Sequence, residues 1–295
     1  MIGRILSIFL SLLIFLSPFY GCGKKAPPSY KTLKIARPVQ ALSYLIRPEG
    51  VILSWQYPYA RDGIYFLIYR KGRNMEKVGE TDKNIFIDST PLSNGSREYV
   101  IVSSYNEGIK AEQRIIIETL PLPKAPSGFN FKIMNQEIIL SWDKREGCLY
   151  NLYSIFSDNR EELLNRKPLS LNFFKIYPDP EEIRTFRLRC LMGSVEGHYA
   201  EVIIKPEDYI PKKPEGLRYV IIDGTVVLTW KENLEKWIRG YRVYKDTGSG
   251  FVLADETTYP LFEDRLNGLK SIYYRITAIG PSKEGPYSDE IKVVQ

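Results

Sequence analysis

The sequence predicts an all-β chain built as three tandem antiparallel β-sandwiches, and three observations carry that expectation. First, one motif recurs at a fixed spacing: Val51-Ile-Leu-Ser-Trp55, Ile138-Ile-Leu-Ser-Trp142 and Val226-Val-Leu-Thr-Trp230, with the tryptophans 87 and 88 residues apart. Second, each Trp is followed by period-two runs separated by Gly, Pro, Asn and Asp, the pattern of half-buried strands. Third, 21 Tyr and a single His in 295 residues favour pleated surfaces and argue against histidine chemistry. With 44% hydrophobic and 26% charged residues, the composition excludes a disordered, collagen-like or coiled-coil chain.

From the N-terminus, Arg4 supplies one cation, Ile5 to Leu16 is apolar apart from two serines, and Ser17-Pro18 ends the run. Residues 1–21 therefore read as an export signal. About 15 apolar residues form a helix of ~22 Å, shorter than a ~30 Å hydrocarbon core, which favours a processed signal over a spanning helix. Gly21-Cys22, followed by Gly23-Lys24-Lys25-Ala26-Pro27-Pro28, resembles the lipobox of bacterial lipoproteins, although Phe19 and Tyr20 depart from that family's usual Leu and small residue. The resemblance implies that Cys22 carries acyl chains such as palmitate and becomes the mature N-terminus. Two or three chains, at ~0.8 kcal/mol per buried methylene, would hold the protein on a membrane. Gly23 resembles the default outer-membrane routing, facing the periplasm in a host with two membranes, with surface exposure left open. Residues 22–37 then read as the lipidated cysteine and an extended basic linker bearing Lys24, Lys25, Lys31, Lys34 and Arg37.

The repeats are expected at 38–121, 122–209 and 210–295. Leu42, Phe129 and Leu217 stand 13 residues before their tryptophans, shortly after Pro38, Pro126 and Pro214. After each Trp comes Phe66-Leu-Ile-Tyr69-Arg, Tyr150-Asn-Leu-Tyr153-Ser or Tyr241-Arg-Val-Tyr244-Lys. Phe86-Ile-Asp88 and Phe262-Glu-Asp264 follow in the first and third copies. A later run begins at Tyr99, Phe186 or Tyr274, and Gly108, Gly197 or Gly285 stands three residues before a small residue that opens the last strand. Pro-rich seams at Leu120–Pro126 and Lys205–Pro214 divide the copies and stiffen the joints.

By these residues, residues 38–295 resemble three tandem fibronectin type III domains, sandwiches of the immunoglobulin-like kind. The resemblance implies seven strands in two sheets per domain, with Trp55, Trp142 and Trp230 packed between the sheets. It matches Tyr99 and Tyr274 to the family's tyrosine near the start of the sixth strand, with Phe186 in its place in the divergent middle copy. Arg160-Glu-Glu-Leu-Leu in that copy reads as a helical turn.

Little in the chain points to catalysis or a cofactor. His198 reads as a turn histidine, and Glu161-Glu162 and Glu181-Glu182 as solvated pairs, because adjacent strand residues point to opposite faces. No phosphate-binding glycine loop, HExxH or calcium-loop pattern occurs, and no two cysteines share a zinc-type spacing. The net charge of +6 is a mild excess for a chain of this length, whereas nucleic-acid binders usually cluster Lys and Arg along one face, which argues against nucleic acid as a partner. In the resembled fold, Cys148 and Cys190 approach the same end of one sheet. Two readings stand: a disulfide, which the export compartment permits, or two buried free thiols.

The functional expectation is a non-catalytic, lipid-anchored envelope protein acting as a spacer and as a binding module for an envelope protein or a glycan. The alternatives are an accessory factor of envelope assembly or secretion that recruits partners by edge-strand addition, or a polysaccharide-binding component. The loop after the Trp strand offers Tyr57, Tyr59 and Arg61 in the first copy and Trp237 and Arg239 in the third as partner contacts. Against this stands the reading that Trp237 and Tyr59 fold back over their own sandwiches.

Overall fold

The computed structural model describes residues 33–92, 95–118 and 121–294; Cys22, the signal stretch and the linker up to residue 32 lie outside the described residues. The described chain is all-β apart from one 3-10 turn at Pro206–Asp208. The first sandwich holds β1 (Lys34–Ile35), β2 (Gln40–Arg47), β3 (Gly50–Gln56), β4 (Tyr65–Lys71), β5 (Met75–Thr81), β6 (Ile85–Asp88), β7 (Ser96–Ser104), β8 (Gly108–Ile109) and β9 (Ala111–Glu118). Its sheet β2-β3-β6 faces β5-β4-β7-β9, and β1 pairs in parallel with β8. The second comprises β10 (Asn130–Ile133), β11 (Ile138–Ser141), β12 (Leu149–Ile155), β13 (Glu161–Leu163), β14 (Phe173–Ile176), β15 (Arg184–Met192) and β16 (Val195–Ile204). Here β10-β11-β14 faces β13-β12-β15-β16. The third repeats the plan with β17 (Glu215–Ile222), β18 (Thr225–Lys231), β19 (Gly240–Asp246), β20 (Val252–Thr257), β21 (Leu261–Arg265), β22 (Ser271–Ile279) and β23 (Ile291–Val294), as β17-β18-β21 over β20-β19-β22-β23.

Alternation explains the cores. Successive strand residues point to opposite faces, so Val51, Leu53 and Trp55 turn inward together, as do Ile138, Leu140 and Trp142, and Val226, Leu228 and Trp230. Each buried indole meets an inward-facing aromatic near the start of the next strand edge to face: Trp55 with Phe66 at 5.3 Å, Trp142 with Tyr150 at 5.3 Å, and Trp230 with Tyr241 at 5.2 Å between ring centroids. Such pairs contribute about 0.5–1.5 kcal/mol beyond their buried area.

The recurrent glycine has an equally local cause. The segment leading into each sandwich runs directly against the chain at or just before the start of its last strand. A Cβ on Gly108 would stand 2.2 Å from the Lys34 carbonyl oxygen, on Gly197 1.9 Å from that of Pro123, and on Gly285 2.4 Å from that of Pro211. Only hydrogen fits. Lys34 and Ile35, inside the stretch expected as linker, are thus tied to the first sandwich, where Ala36 is already buried.

The expected helical turn at Arg160–Leu164 is corrected by the structure. Glu161–Leu163 form a strand on β12, with Tyr153 opposite Leu163 and Ile155 opposite Glu161. Helix-forming residue types yield here to an available strand edge and to the ion pairs that Glu161 makes with Arg47 and Arg187.

Candidate functional site

The first and second sandwiches meet through charge. Val195 of β16 bridges Ile46 of β2, and the Ile46 N–H donates to the Ser194 carbonyl at 2.9 Å. Beside this bridge, Arg47 donates from Nε to Glu196 Oε2 at 2.7 Å and from Nη1 to Glu161 Oε2 at 2.9 Å. The Glu196 side chain is wholly buried, and its other oxygen accepts from Tyr153 Oη at 2.5 Å and from Asn151 Nδ2. Burial and then the Glu196 carboxylate push the Tyr153 phenol upward. Burial alone would lower Arg47, but Glu196, Tyr153 and Glu161 outweigh it and hold the guanidinium above its usual value. A second crossing runs from Arg189, itself buried, to Glu49 at 3.0 Å.

The second and third sandwiches meet through an aromatic contact. Trp237, on the loop after the third Trp strand, packs edge to face on buried Tyr209 at 5.4 Å and against the core of the second sandwich. It neither stands free nor covers its own sandwich. Arg239 forms an exposed two-pronged pair with Glu181 at 2.9 Å, a contact of small energetic weight. Glu235, buried, accepts from the Lys212 N–H at 3.0 Å, and the Lys236 N–H donates to the Asn135 carbonyl at 3.3 Å.

At the opposite end of the first sandwich, Tyr57 is buried and its ring meets Phe66 and Tyr59. Tyr59 is partly exposed and its hydroxyl accepts from Gln40 Nε2 at 2.8 Å; Arg61 is exposed. The five residues expected as partner contacts are therefore divided. Tyr59 and Arg61 sit at one end of the first sandwich, Tyr57 in its core, and Trp237 and Arg239 at the second joint.

No protein-family profile matches the chain, and no curated protein matches it. Among solved structures, the chain is similar to a two-domain fibronectin type III segment of chicken tenascin, at 12% identity over 58% of this chain and 99% of that one, with a TM-score of 0.43. It is also similar to the FN1–FN3 domains of chicken CNTN1, at 14% identity over 88% of this chain and 98% of that one, with a TM-score of 0.31. The all-β sandwich architecture stands on the chain's own strand pairing.

Cys148 and Cys190 are joined as a disulfide with a Cα–Cα distance of 5.4 Å, tying the start of β12 to the end of β15. Trp55, Trp142 and Trp230 are buried in their three cores. Among the described residues, no group of three or more His, Cys, Asp or Glu is placed to hold a metal ion.

The corner at which each sixth strand begins differs between copies. In the first sandwich, Tyr99 donates to Asp88 at 2.6 Å, and Arg70 pairs with the same carboxylate at 3.0 Å. In the third, Tyr274 donates to Asp264 at 2.9 Å and Lys245 pairs with it at 2.8 Å. Equivalent registers in the second place Ser154 opposite Phe186 and Ile176 opposite Ile138. There the tyrosine hydroxyl, the carboxylate and the cation of the Arg70 and Lys245 position are gone, the Arg184 guanidinium lies over the Phe186 ring at 5.1 Å, and a cleft of about 960 Å³ opens between the ends of β12 and β14 and the start of β15.

Residues that sequence reasoning missed cluster at this cleft and at the first joint: Arg47, Arg189 and Glu196, and Tyr177 beside the cleft; Glu161, expected as solvated, is instead mostly buried and paired with Arg47 and Arg187. One signal did exist. A glutamate precedes the recurrent glycine in every copy, as Glu107, Glu196 and Glu284.

Proposed function

We propose that the chain is a lipid-anchored cell-envelope protein that acts as a non-catalytic spacer and binding module, held to the membrane through Cys22. The observation that carries the spacer reading is the bonding at both joints: a buried Arg47–Glu196 pair at one and the Trp237–Tyr209 contact at the other. Joints closed this way hold successive sandwiches at a set distance and angle, as a spacer requires. The anchor rests on the resemblance of Gly21-Cys22 to a lipobox, and outer-membrane placement facing the periplasm rests on Gly23. Recruitment by edge-strand addition is the second reading. The observation favouring it is β17, an eight-residue edge strand with Val220 and Ile222 exposed near its end.

Replacing Cys22 by Ala tests both parts in one protein. The variant should be released to the soluble fraction or stall as an uncleaved precursor, and the solution scattering of its folded part should fit one elongated conformer. Processing and membrane extraction like those of the wild type would overturn the anchor, and scattering typical of freely jointed beads would overturn the spacer.

A further inference from the structure

We infer that the cleft beside Tyr177 in the second sandwich, with the smaller cleft that Tyr177 shares with Trp237, binds a neutral oligosaccharide. The inference rests on the binding-module reading and assigns its ligand class. Three copies of one fold supply the first argument. Where the outer copies fill the corner with Arg70, Asp88 and Tyr99 or with Lys245, Asp264 and Tyr274, the middle copy places Ser154, Ile176 and Phe186. The concerted loss of a cation, an anion and a hydroxyl removes an internal ion pair without leaving a buried charge unpaired. It also leaves a cleft of about 960 Å³ with Ile176 in its lining.

The second argument is Tyr177 itself. At 85% exposure it stands further into solvent than any other large hydrophobic side chain among the described residues. Pro178 and Pro180 restrict the loop that carries it, and Arg184 Nη1 donates to its carbonyl at 2.7 Å, so the ring is presented on a braced backbone. An exposed aromatic face of this kind stacks on the C–H face of a pyranose.

Continuity is the third argument. Tyr177 and Pro178 also line a cleft of about 410 Å³ together with Pro180, Gln136, Lys236 and Trp237. Two adjoining clefts sharing one ring suit a ligand of several linked units that crosses the joint between sandwiches.

The lining decides the class. Ser154, Ser157, Asp179, Glu182, Gln136 and Arg184 offer donors and acceptors in mixture, as sugar hydroxyls require. Lys175 is already paired with Glu137 at 2.9 Å, which leaves Arg184 and Lys236 against Asp179 and Glu182. That balance matches a neutral ligand; an anionic polymer would be met by a basic excess.

The test uses the full chain and a panel of soluble neutral hexasaccharides (cello-, xylo-, manno- and chito-oligosaccharides), with binding read by calorimetry. At least one should bind, and Tyr177→Ala should weaken it about tenfold or more without moving the melting temperature. Tyr259→Ala removes another exposed tyrosine, outside both clefts, and should leave affinity unchanged. Absence of binding by every panel member, or binding indifferent to Tyr177→Ala, overturns the assignment. Capture of displayed peptides that depends on Tyr177 and is not displaced by the sugars overturns the ligand class. Neither result touches the membrane fractionation of the Cys22→Ala variant, so failure here is separable from failure of the spacer and anchor reading.

Discussion

Arg47 of the first sandwich and Glu196 of the second, 149 positions apart, form an ion pair at 2.7 Å in which the carboxylate is wholly buried. The third sandwich shows why the cation comes from a neighbour. There the corresponding Glu284 binds Arg242 of its own sandwich, Tyr244 at 2.7 Å and Thr277 at 2.5 Å. In the second sandwich Asn151 occupies the place of Arg242, and the missing guanidinium arrives from the first.

Removing that guanidinium strands a buried carboxylate, which typically costs about 3–5 kcal/mol. Tyr153 and Asn151 still donate to Glu196, so Arg47→Ala should fall near the low end, about 3 kcal/mol. Denaturant titration measures the loss. Spin-label distances between the first two sandwiches should broaden in the variant, and an unchanged, narrow distribution would show that the strand bridge alone sets the joint.

The contact of each lead segment with its recurrent glycine yields a set of substitutions. Gly108→Ala, Gly197→Ala and Gly285→Ala each drive a methyl into a backbone carbonyl, and overpacking of this kind costs about 1–3 kcal/mol. Gly72→Ala is the control, because its nearest neighbour would lie at 3.8 Å. Equal melting temperatures for all four variants would mean that the lead segments yield freely and do not brace the sandwiches.

For the Cys148–Cys190 bridge, the span is 42 residues, and the chain-entropy account assigns about 4 kcal/mol to closing such a loop. Reductant should lower the unfolding midpoint of the exported protein, and the Cys148→Ala/Cys190→Ala double variant should match the reduced form. Alkylation of two thiols in unreduced, denatured protein would exclude the bridge.

What was legible in the sequence is what repeats locally. Trp55, Trp142 and Trp230 mark their cores because five consecutive residues restate one strand three times. The Asp88 and Asp264 positions could be read because each sits two residues after a recurrent Phe. The joints were not legible, since Arg47 and Glu196 belong to different copies and no spacing connects them. Trp237 was visible as an isolated tryptophan, but its seat on Tyr209 depends on how two sandwiches dock. Tyr177 has no counterpart in the outer copies, so a search for repetition passes over it.

The last expectation concerns pH. Burial first, and then the Asp88 carboxylate that accepts its proton, raise the Tyr99 phenol from 10.0 to about 12. The unfolded chain ionises this group near 10, so its contribution is full below pH 10 and is lost as pH rises through about 12. Asp88 works in the opposite direction. Burial alone would raise it, but hydrogen bonds from Tyr99 and the Thr90 N–H, with Arg70 nearby, hold it below the usual carboxylate range. Its contribution is therefore present above the unfolded carboxylate value and is lost as pH falls through the lowered one. Tyr99→Phe should cost about 1.5 kcal/mol near neutrality, the low end for a hydrogen bond to a charged group, because Arg70 still pairs with Asp88. It should also flatten the fall in stability of the first sandwich between pH 10 and about 12. Tyr274, raised by burial and by Asp264, predicts the same change in the third sandwich for Tyr274→Phe. The second sandwich carries Phe186 and Ile176 at these positions and has no such corner pair to lose. Melting temperatures recorded across the alkaline range for the wild type and both variants decide the matter, and identical alkaline limbs would place the loss on other tyrosines.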